Sequence, residues 1–296
     1  MTGFVKRSLA YARFGVDCFI LRSERPHILG LVTNDTCNLD CIDCRVANIN
    51  RDVMRMTDIR NVLQRYYRKG ARMLYLTGGE PYLWRDGRYR LADVVTLAHE
   101  IGYLRVHVYT NGTARLSEIP DFHWISIDGI GETFERIRGI PLERVLSHLR
   151  GFDGRHAIIF TINTLNYRSI GASLDYFRRV LPGTGTLFYF HTPYYGKDYL
   201  LLSDEQRRLA VEDLLACKRA GYPVLNSRAA LEGFLHRTGG PPLHDSWIVD
   251  TTGDYRCCRV EGNPDICRDC GYLTGYEIVH ARQWRPGAIR ALLRTH

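Results

Sequence analysis

Lysine is scarce in this chain. Only four of its 40 basic residues are lysines (Lys6, Lys69, Lys197 and Lys218), so a formal charge of +8 rests on arginine. The arginines are scattered and build no long basic run. They fit an arginine-rich surface, and equally the bidentate recognition of an anionic substrate or a nucleic acid. Long apolar runs are also missing. No stretch approaches the ~20 apolar residues that span a bilayer, and residues 1–19 lack the charged, apolar, small-residue order of a secretory signal. The expectation is a cytoplasmic protein with no membrane span. Internal repeats and low-complexity segments are absent as well.

A cytoplasmic setting makes a disulfide framework improbable, because thiols there stay reduced. Yet nine cysteines are present, three within residues 37–44 and four within 257–270. Such clustering points to metal ligation. Cys18 and Cys217 stand alone and read as packing residues.

With 296 residues, 45% hydrophobic and 24% charged, the chain is globular. It is long enough for one barrel-type α/β domain plus an appendage. Six short apolar runs read as strands: His27–Asn34, Arg72–Thr77, Arg105–Thr110, His123–Ile127, Ala157–Asn163 and Thr186–His191. Helical patterns separate them at Thr57–Lys69, Leu91–Ile101, Leu142–Leu149, Ser169–Leu181 and Ser203–Ala220, the last opened by a Ser203–Gln206 capping box. Six βα repeats require a parallel sheet, since parallel neighbours need helical crossovers. Periodicity alone leaves a doubly wound sheet and a barrel both open. The pattern changes after Ala220. A short helix near Ser227–Leu235, a breaker-rich linker at Thr238–Pro242 and a hairpin (Trp247–Asp250 with Tyr255–Cys258) lead to the second cysteine group. A closing helix follows from about Tyr276 to Leu293, interrupted near Pro286. The expected organisation is an N-terminal extension (1–26), a barrel (27–220) and a C-terminal cluster region (221–296).

Cys37, Cys41 and Cys44 directly follow the first strand. Three thiolates from one loop can hold three corners of a [4Fe–4S] cube and leave the fourth iron open. A structural zinc site is the alternative and would need a fourth ligand from elsewhere.

These residues, taken with others in register, resemble the radical S-adenosylmethionine (SAM) superfamily. The resemblance rests on C-x3-C-x2-C after strand one and Thr77-Gly78-Gly79-Glu80-Pro81 after strand two. It continues with Thr110-Asn111-Gly112 after strand three, Ser126-Ile127-Asp128-Gly129 after strand four, and Phe134–Gly139 beyond it. It covers residues 27–194, with each motif at the carboxyl end of a strand, where barrel enzymes carry their sites.

The resemblance implies a partial (β/α)6 TIM-like barrel and an enzyme that cleaves SAM at the open iron. The 5′-deoxyadenosyl radical so formed would abstract hydrogen from a substrate or add to it. It implies SAM contacts from the backbone at Gly78, Gly79 and Glu80, from Ser126 and Asp128 near the ribose or carboxylate, from Arg138 to the carboxylate, and from Asn163. Ordinary cap, turn or salt-bridge roles are the alternatives for the last four. The glycines of the second motif are expected to let backbone approach a ligand closely. Asp43 stands where many relatives carry an aromatic residue against the adenine. His191, Tyr194 and Tyr195 follow strand six and are expected at the cavity mouth, with a packed aromatic loop as the alternative. No single catalytic residue is identifiable.

Cys257, Cys258, Cys267 and Cys270 resemble the shortened auxiliary-cluster (twitch or SPASM-like) regions of some of these enzymes, which implies a second [4Fe–4S] cluster. Adjacent Cys257 and Cys258 would point to opposite faces if both lay on a strand, and a zinc knuckle is the alternative. Asp269 is expected to be solvated. The implied partners are an unidentified substrate (small metabolite, lipid or peptide) and an electron donor such as flavodoxin or ferredoxin. A basic zinc- or cluster-containing nucleic-acid-binding protein without SAM chemistry is the competing function. Against it, no nucleic-acid motif is present.

Overall fold

A computed structural model of the chain describes residues 3–21, 23, 25–44, 46–194, 196, 198–238, 243–260 and 262–295. Tyr195 and linker residues 239–242 lie outside the described residues.

Six strands, β1 (Ile28–Asn34), β2 (Met73–Gly78), β3 (Arg105–Thr110), β4 (Phe122–Ser126), β5 (His156–Ile162) and β6 (Thr186–Phe190), pair in sequence order and all run parallel. The expected strand limits hold to within one residue. Helix α1 (Gly3–Gly15) precedes β1, and α2 (Met56–Lys69) and α3 (Leu91–Ile101) link the first three strands. Next come α4 (Gly131–Arg138) and α5 (Glu143–Leu149), then α6 (Ile170–Val180), α7 (Asp204–Arg219) and α8 (Arg228–Leu235). The capping box forms at the start of α7: Gln206 N donates to Ser203 Oγ at 3.2 Å, and Ser203 N to Gln206 Oε1 at 3.0 Å.

The expected hairpin forms as β7 (Ser246–Val249) and β8 (Asp254–Arg256), and it continues the barrel sheet. Strand β7 runs parallel to β1, with Leu29 opposite Trp247. The eight-stranded order is therefore β8-β7-β1-β2-β3-β4-β5-β6, an open partial barrel rather than a closed one. Helix α9 (Pro264–Arg268) follows. The closing helix is split into α10 (Thr274–Arg282) and α11 (Pro286–Thr295), with Trp284 in the left-handed region (φ 59°) between them. Proline at the start of α11 explains the break, since it cannot continue the preceding helix's hydrogen bonding. Among the described residues no helix is long and apolar enough to cross a membrane.

Side chains alternate along each strand. Leu74 and Leu76 of β2 and Val106 and Val108 of β3 join Ile59 and Leu63 of α2 and Val94 of α3 in one buried cluster. Ile125, Phe160 and Phe188 pack with Val145, Leu174 and Leu214 in the other. The opposite face looks into the barrel and is aromatic. Tyr75 is registered against His107, and Tyr109 against Trp124. Ring centroids lie 5.5 Å apart for Tyr75–Tyr109 and 6.1 Å for Tyr109–Trp124.

Candidate active site

The β1 loop is built on backbone contacts with the end of β2. Gly79 N donates to Asn34 O at 2.8 Å and Glu80 N to Thr36 O at 2.9 Å. A Cβ on Gly78 would stand 2.1 Å from Asn34 O, and one on Gly79 would stand 2.3 Å from Thr36 O. The two glycines thus admit the cysteine loop itself, where the sequence pattern suggested closeness to a ligand. Asn34 Nδ2 completes the junction, donating to Thr36 O (2.8 Å) and Glu80 O (3.2 Å).

Asn48 holds the first cysteine in place: its Oδ1 accepts from Cys37 N at 2.8 Å and its Nδ2 donates to Leu39 O at 3.2 Å. Asn111, after β3, donates through Nδ2 to Cys37 Sγ at 3.6 Å. Neither asparagine stands out by spacing, although Asn111 belongs to the Thr-Asn-Gly motif. Glu80 is buried. It accepts from Tyr82 N, Thr110 Oγ1 and Asn111 N at 3.1, 2.8 and 2.8 Å. Burial raises its carboxyl pKa, and these donors oppose the rise. Its side chain ties the β2 loop to the β3 loop.

Cys37, Cys41 and Cys44 line one cavity of about 190 Å3 at the carboxyl ends of the strands, together with Gly78, Gly79, Asn111, Ser126 and Arg138. Cys41 is buried and Cys44 exposed. Among the described residues no three His, Cys, Asp or Glu side chains stand close enough to hold a single metal ion. Burial pushes the Cys41 thiol up to about 12, with Arg138 pulling it down, and burial also raises Cys37.

Asp128 lies beneath the cavity and is fully buried. Its Oδ1 accepts from Thr161 N at 2.6 Å, and its Oδ2 accepts from Arg138 Nε at 2.6 Å and pairs with Nη2. Burial lifts its carboxyl to about 6 against the pull of Arg138. The guanidinium, held on Asp128, reaches Cys41 Sγ with Nη1 at 3.7 Å. Asn163 is buried, and its Oδ1 accepts from Leu165 N. Its Nδ2 has no hydrogen-bond partner among the described residues, an open donor that ordinarily finds a partner.

The second cysteine group sits beyond β6. Strand β8 ends at Arg256, and Cys257 adopts φ 65°. The two adjacent cysteines are therefore not displayed on opposite strand faces, and Cys258 together with burial raises the Cys257 thiol. Leu243 N donates to Cys257 Sγ at 3.2 Å. Cys267 lies on α9 and Cys270 follows it. Burial pushes the Cys270 thiol up to about 11, and the fields of Cys258 and Cys267 add to the effect. Tyr194 is raised by burial and by Cys270, Cys258 and Cys257, which puts it beside this group. His191 is buried and pairs through Nε2 with Asp198 Oδ2 at 3.0 Å. Contrary to the expectation of a solvated side chain, Asp269 is buried, with Arg207 Nη2 at 3.6 Å. Desolvating a carboxylate requires such a partner.

Residues 31–176 match the sequence model of the radical SAM superfamily. The chain is 32% identical over 94 residues to the GTP 3′,8-cyclase of Tolumonas auensis, covering 30% of this chain and 27% of that protein. It is 30% identical over 160 residues to the pre-heme d1 synthase of Dinoroseobacter shibae, covering 49% of this chain and 38% of that protein. It thus spans well under half the length of either relative. Among solved structures it resembles anSMEcpe with bound AdoMet, with a TM-score of 0.62 and 18% identity over 86% of this chain and 79% of that one. It also resembles Streptococcus suis SuiB bound to S-adenosylmethionine, with a TM-score of 0.63 and 14% identity over 89% of this chain and 68% of that one.

Proposed function

We propose that this chain, which belongs to the radical SAM superfamily through residues 31–176, is an enzyme that reductively cleaves SAM to modify a substrate inside its barrel. The observation that carries the reading is the convergence of Cys37, Cys41, Cys44, Gly78, Gly79, Ser126 and Arg138 on one cavity. Cys37, Cys41 and Cys44 would hold a [4Fe–4S] cluster, whose cube takes thiolates at separate corners. When bound, a cluster with an open iron supplies the electron that breaks the C5′–S bond of SAM and yields methionine and the 5′-deoxyadenosyl radical.

The chain's own residues do the positioning. Arg138, held on Asp128 through Nε and Nη2, offers its remaining Nη1 edge to the SAM carboxylate. Asn163 offers its open Nδ2 donor, and Ser126 and the Gly78–Gly79 backbone supply the remaining polar edges. Glu80 acts through the loops it ties together. Cys257, Cys258, Cys267 and Cys270 would hold a second, auxiliary [4Fe–4S] cluster, and a flavodoxin or ferredoxin would deliver the electron.

The test is anaerobic reconstitution with iron and sulfide, a metal count, then SAM with dithionite. About eight irons per chain and formation of 5′-deoxyadenosine are expected for two clusters, and about four irons for one. Cys41→Ser should abolish 5′-deoxyadenosine and leave the C-terminal iron in place. Zinc alone with no SAM cleavage would sink the reading.

A further inference from the structure

A second and larger space, of about 580 Å3, occupies the barrel interior below the cysteine cavity. That volume lies within the ~300–1,000 Å3 of small-molecule sites. The two spaces run end to end along the strands. On β2, Met73 and Tyr75 line the larger and Thr77 and Gly78 the smaller; on β4, Trp124 lines the larger and Ser126 the smaller. Tyr109 walls both. At this inner end the rings of Tyr189 and Tyr272 stack at 4.6 Å, and the Tyr189 hydroxyl shares a hydrogen bond with Thr274 Oγ1 at 2.8 Å.

Much of the rest of the wall is apolar, with Ile28, Leu187, Leu225 and Ile278 beside the rings of Phe14 and Phe19. Of the charged side chains there, Arg282 pairs with Asp245 at 2.8 Å and Glu277 accepts from Ser227 N, while Asp245 Oδ1 and Glu277 Oε2 are buried with no hydrogen-bond partner among the described residues. The outer end opens at α1, the turn after it, and α11. Its rim carries Val16, Ile20, Trp284 and Leu293, which are 41%, 59%, 60% and 68% exposed. A phosphate or a peptide backbone would enter this space at the cost of its hydration, against a mostly apolar wall and with the Asp245 and Glu277 carboxylates nearby. A hydrocarbon chain would meet neither penalty.

We propose that the substrate is a lipid, a molecule with a long hydrocarbon chain of acyl or isoprenoid type. It enters between α1 and α11 and lies along the barrel with one end at Tyr109, next to the SAM site. This rests on the reading that the cysteine cavity holds SAM.

The experiment uses the reconstituted full chain and the fluorescent C18 acid cis-parinaric acid, displaced by saturated fatty acids of increasing length and by farnesol and geranylgeraniol. One probe should bind per chain. Each added CH2 should tighten binding about fourfold, equivalent to ~0.8 kcal/mol, until the space is filled. The better of the two displacer series identifies the chain type. Ala291→Trp in the wall and Ile20→Glu on the rim should weaken the probe at least tenfold. Leu209→Glu, an exposed position on α7 remote from the rim, should not. Circular-dichroism melting checks that each variant is folded. No saturable binding, no dependence on chain length, or equal binding by folded Ala291→Trp would overturn the proposal, whether or not 5′-deoxyadenosine forms. Chain binding without any SAM cleavage would leave the lipid site standing and remove the SAM reading instead.

Discussion

Arg138 spans Asp128 and Cys41: its Nε donates to the buried Asp128 carboxylate at 2.6 Å while its Nη1 lies 3.7 Å from the Cys41 sulfur. One guanidinium therefore links the floor of the cavity to the cysteine loop. Removing one partner of a buried pair leaves the other charge uncompensated, at a cost of ~3–5 kcal/mol. Asp128→Asn should lower stability by that order in urea unfolding and weaken SAM binding at least tenfold in equilibrium titration. Unchanged stability with unchanged SAM affinity would refute the linking role.

The close approach of β2 to the β1 loop yields a second prediction. A methyl group at Gly79 would overlap Thr36 O and Asp35 O, both backbone atoms that cannot rotate away. Gly79→Ala should cost ~1–3 kcal/mol from overpacking and displace the loop that carries Cys37. Reconstituted protein should then lack the N-terminal cluster's share of iron. Full iron loading in Gly79→Ala would show that the loop yields without consequence.

Gly271 fastens the second cysteine group to the barrel. Phe190 N donates to Gly271 O at 3.0 Å, Gly271 N donates to Thr192 Oγ1 at 2.9 Å, and an added Cβ would lie 1.9 Å from Phe190 O. Gly271→Ala should free the loop after Cys270, reduce iron at the C-terminal site and spare the iron at Cys37, Cys41 and Cys44. Mössbauer spectra of the variant would separate the two populations, and equal loss from both sites would argue against a local strap.

Glu277 makes stability depend on pH. Burial pushes its carboxyl from an ordinary 4.5 up to about 7, so the folded chain prefers the protonated form. Its contribution is complete below pH 4.5 and is lost as pH rises through 7. Glu277→Gln fixes the neutral state. The variant should match the parent near pH ~4 and exceed it by up to ~3 kcal/mol above pH ~8. Thermal unfolding across this range checks the sign, and a variant that falls off with pH as steeply as the parent would contradict it.

Much of the barrel could be read from the chain itself. The alternation of β-branched runs with 3.6-periodic segments located β1–β6 to within one residue, because those periods are local geometry. The cysteine spacing and the Gly78–Gly79 pair likewise marked the loop around which the site is built. Asn34 and Asn48 carried no such signal. Each acts through a partner distant in sequence or through a loop conformation, and an isolated asparagine looks the same in any turn.

What the sequence determined by itself was the parallel order of six βα units, the family, and the two groups of thiols. Tertiary structure decided how these are used. Packing of the β1 loop onto β2 set the glycines against Asn34 and Thr36 and brought their backbone to one cavity with the cysteines, Ser126 and Arg138. Pairing of β7 with β1 joined the C-terminal cysteine region to the barrel sheet. The larger apolar space likewise exists only in three dimensions. Its walls come from α1, six strands and the last two helices, and burial of each wall residue depends on neighbours that the linear pattern does not bring together.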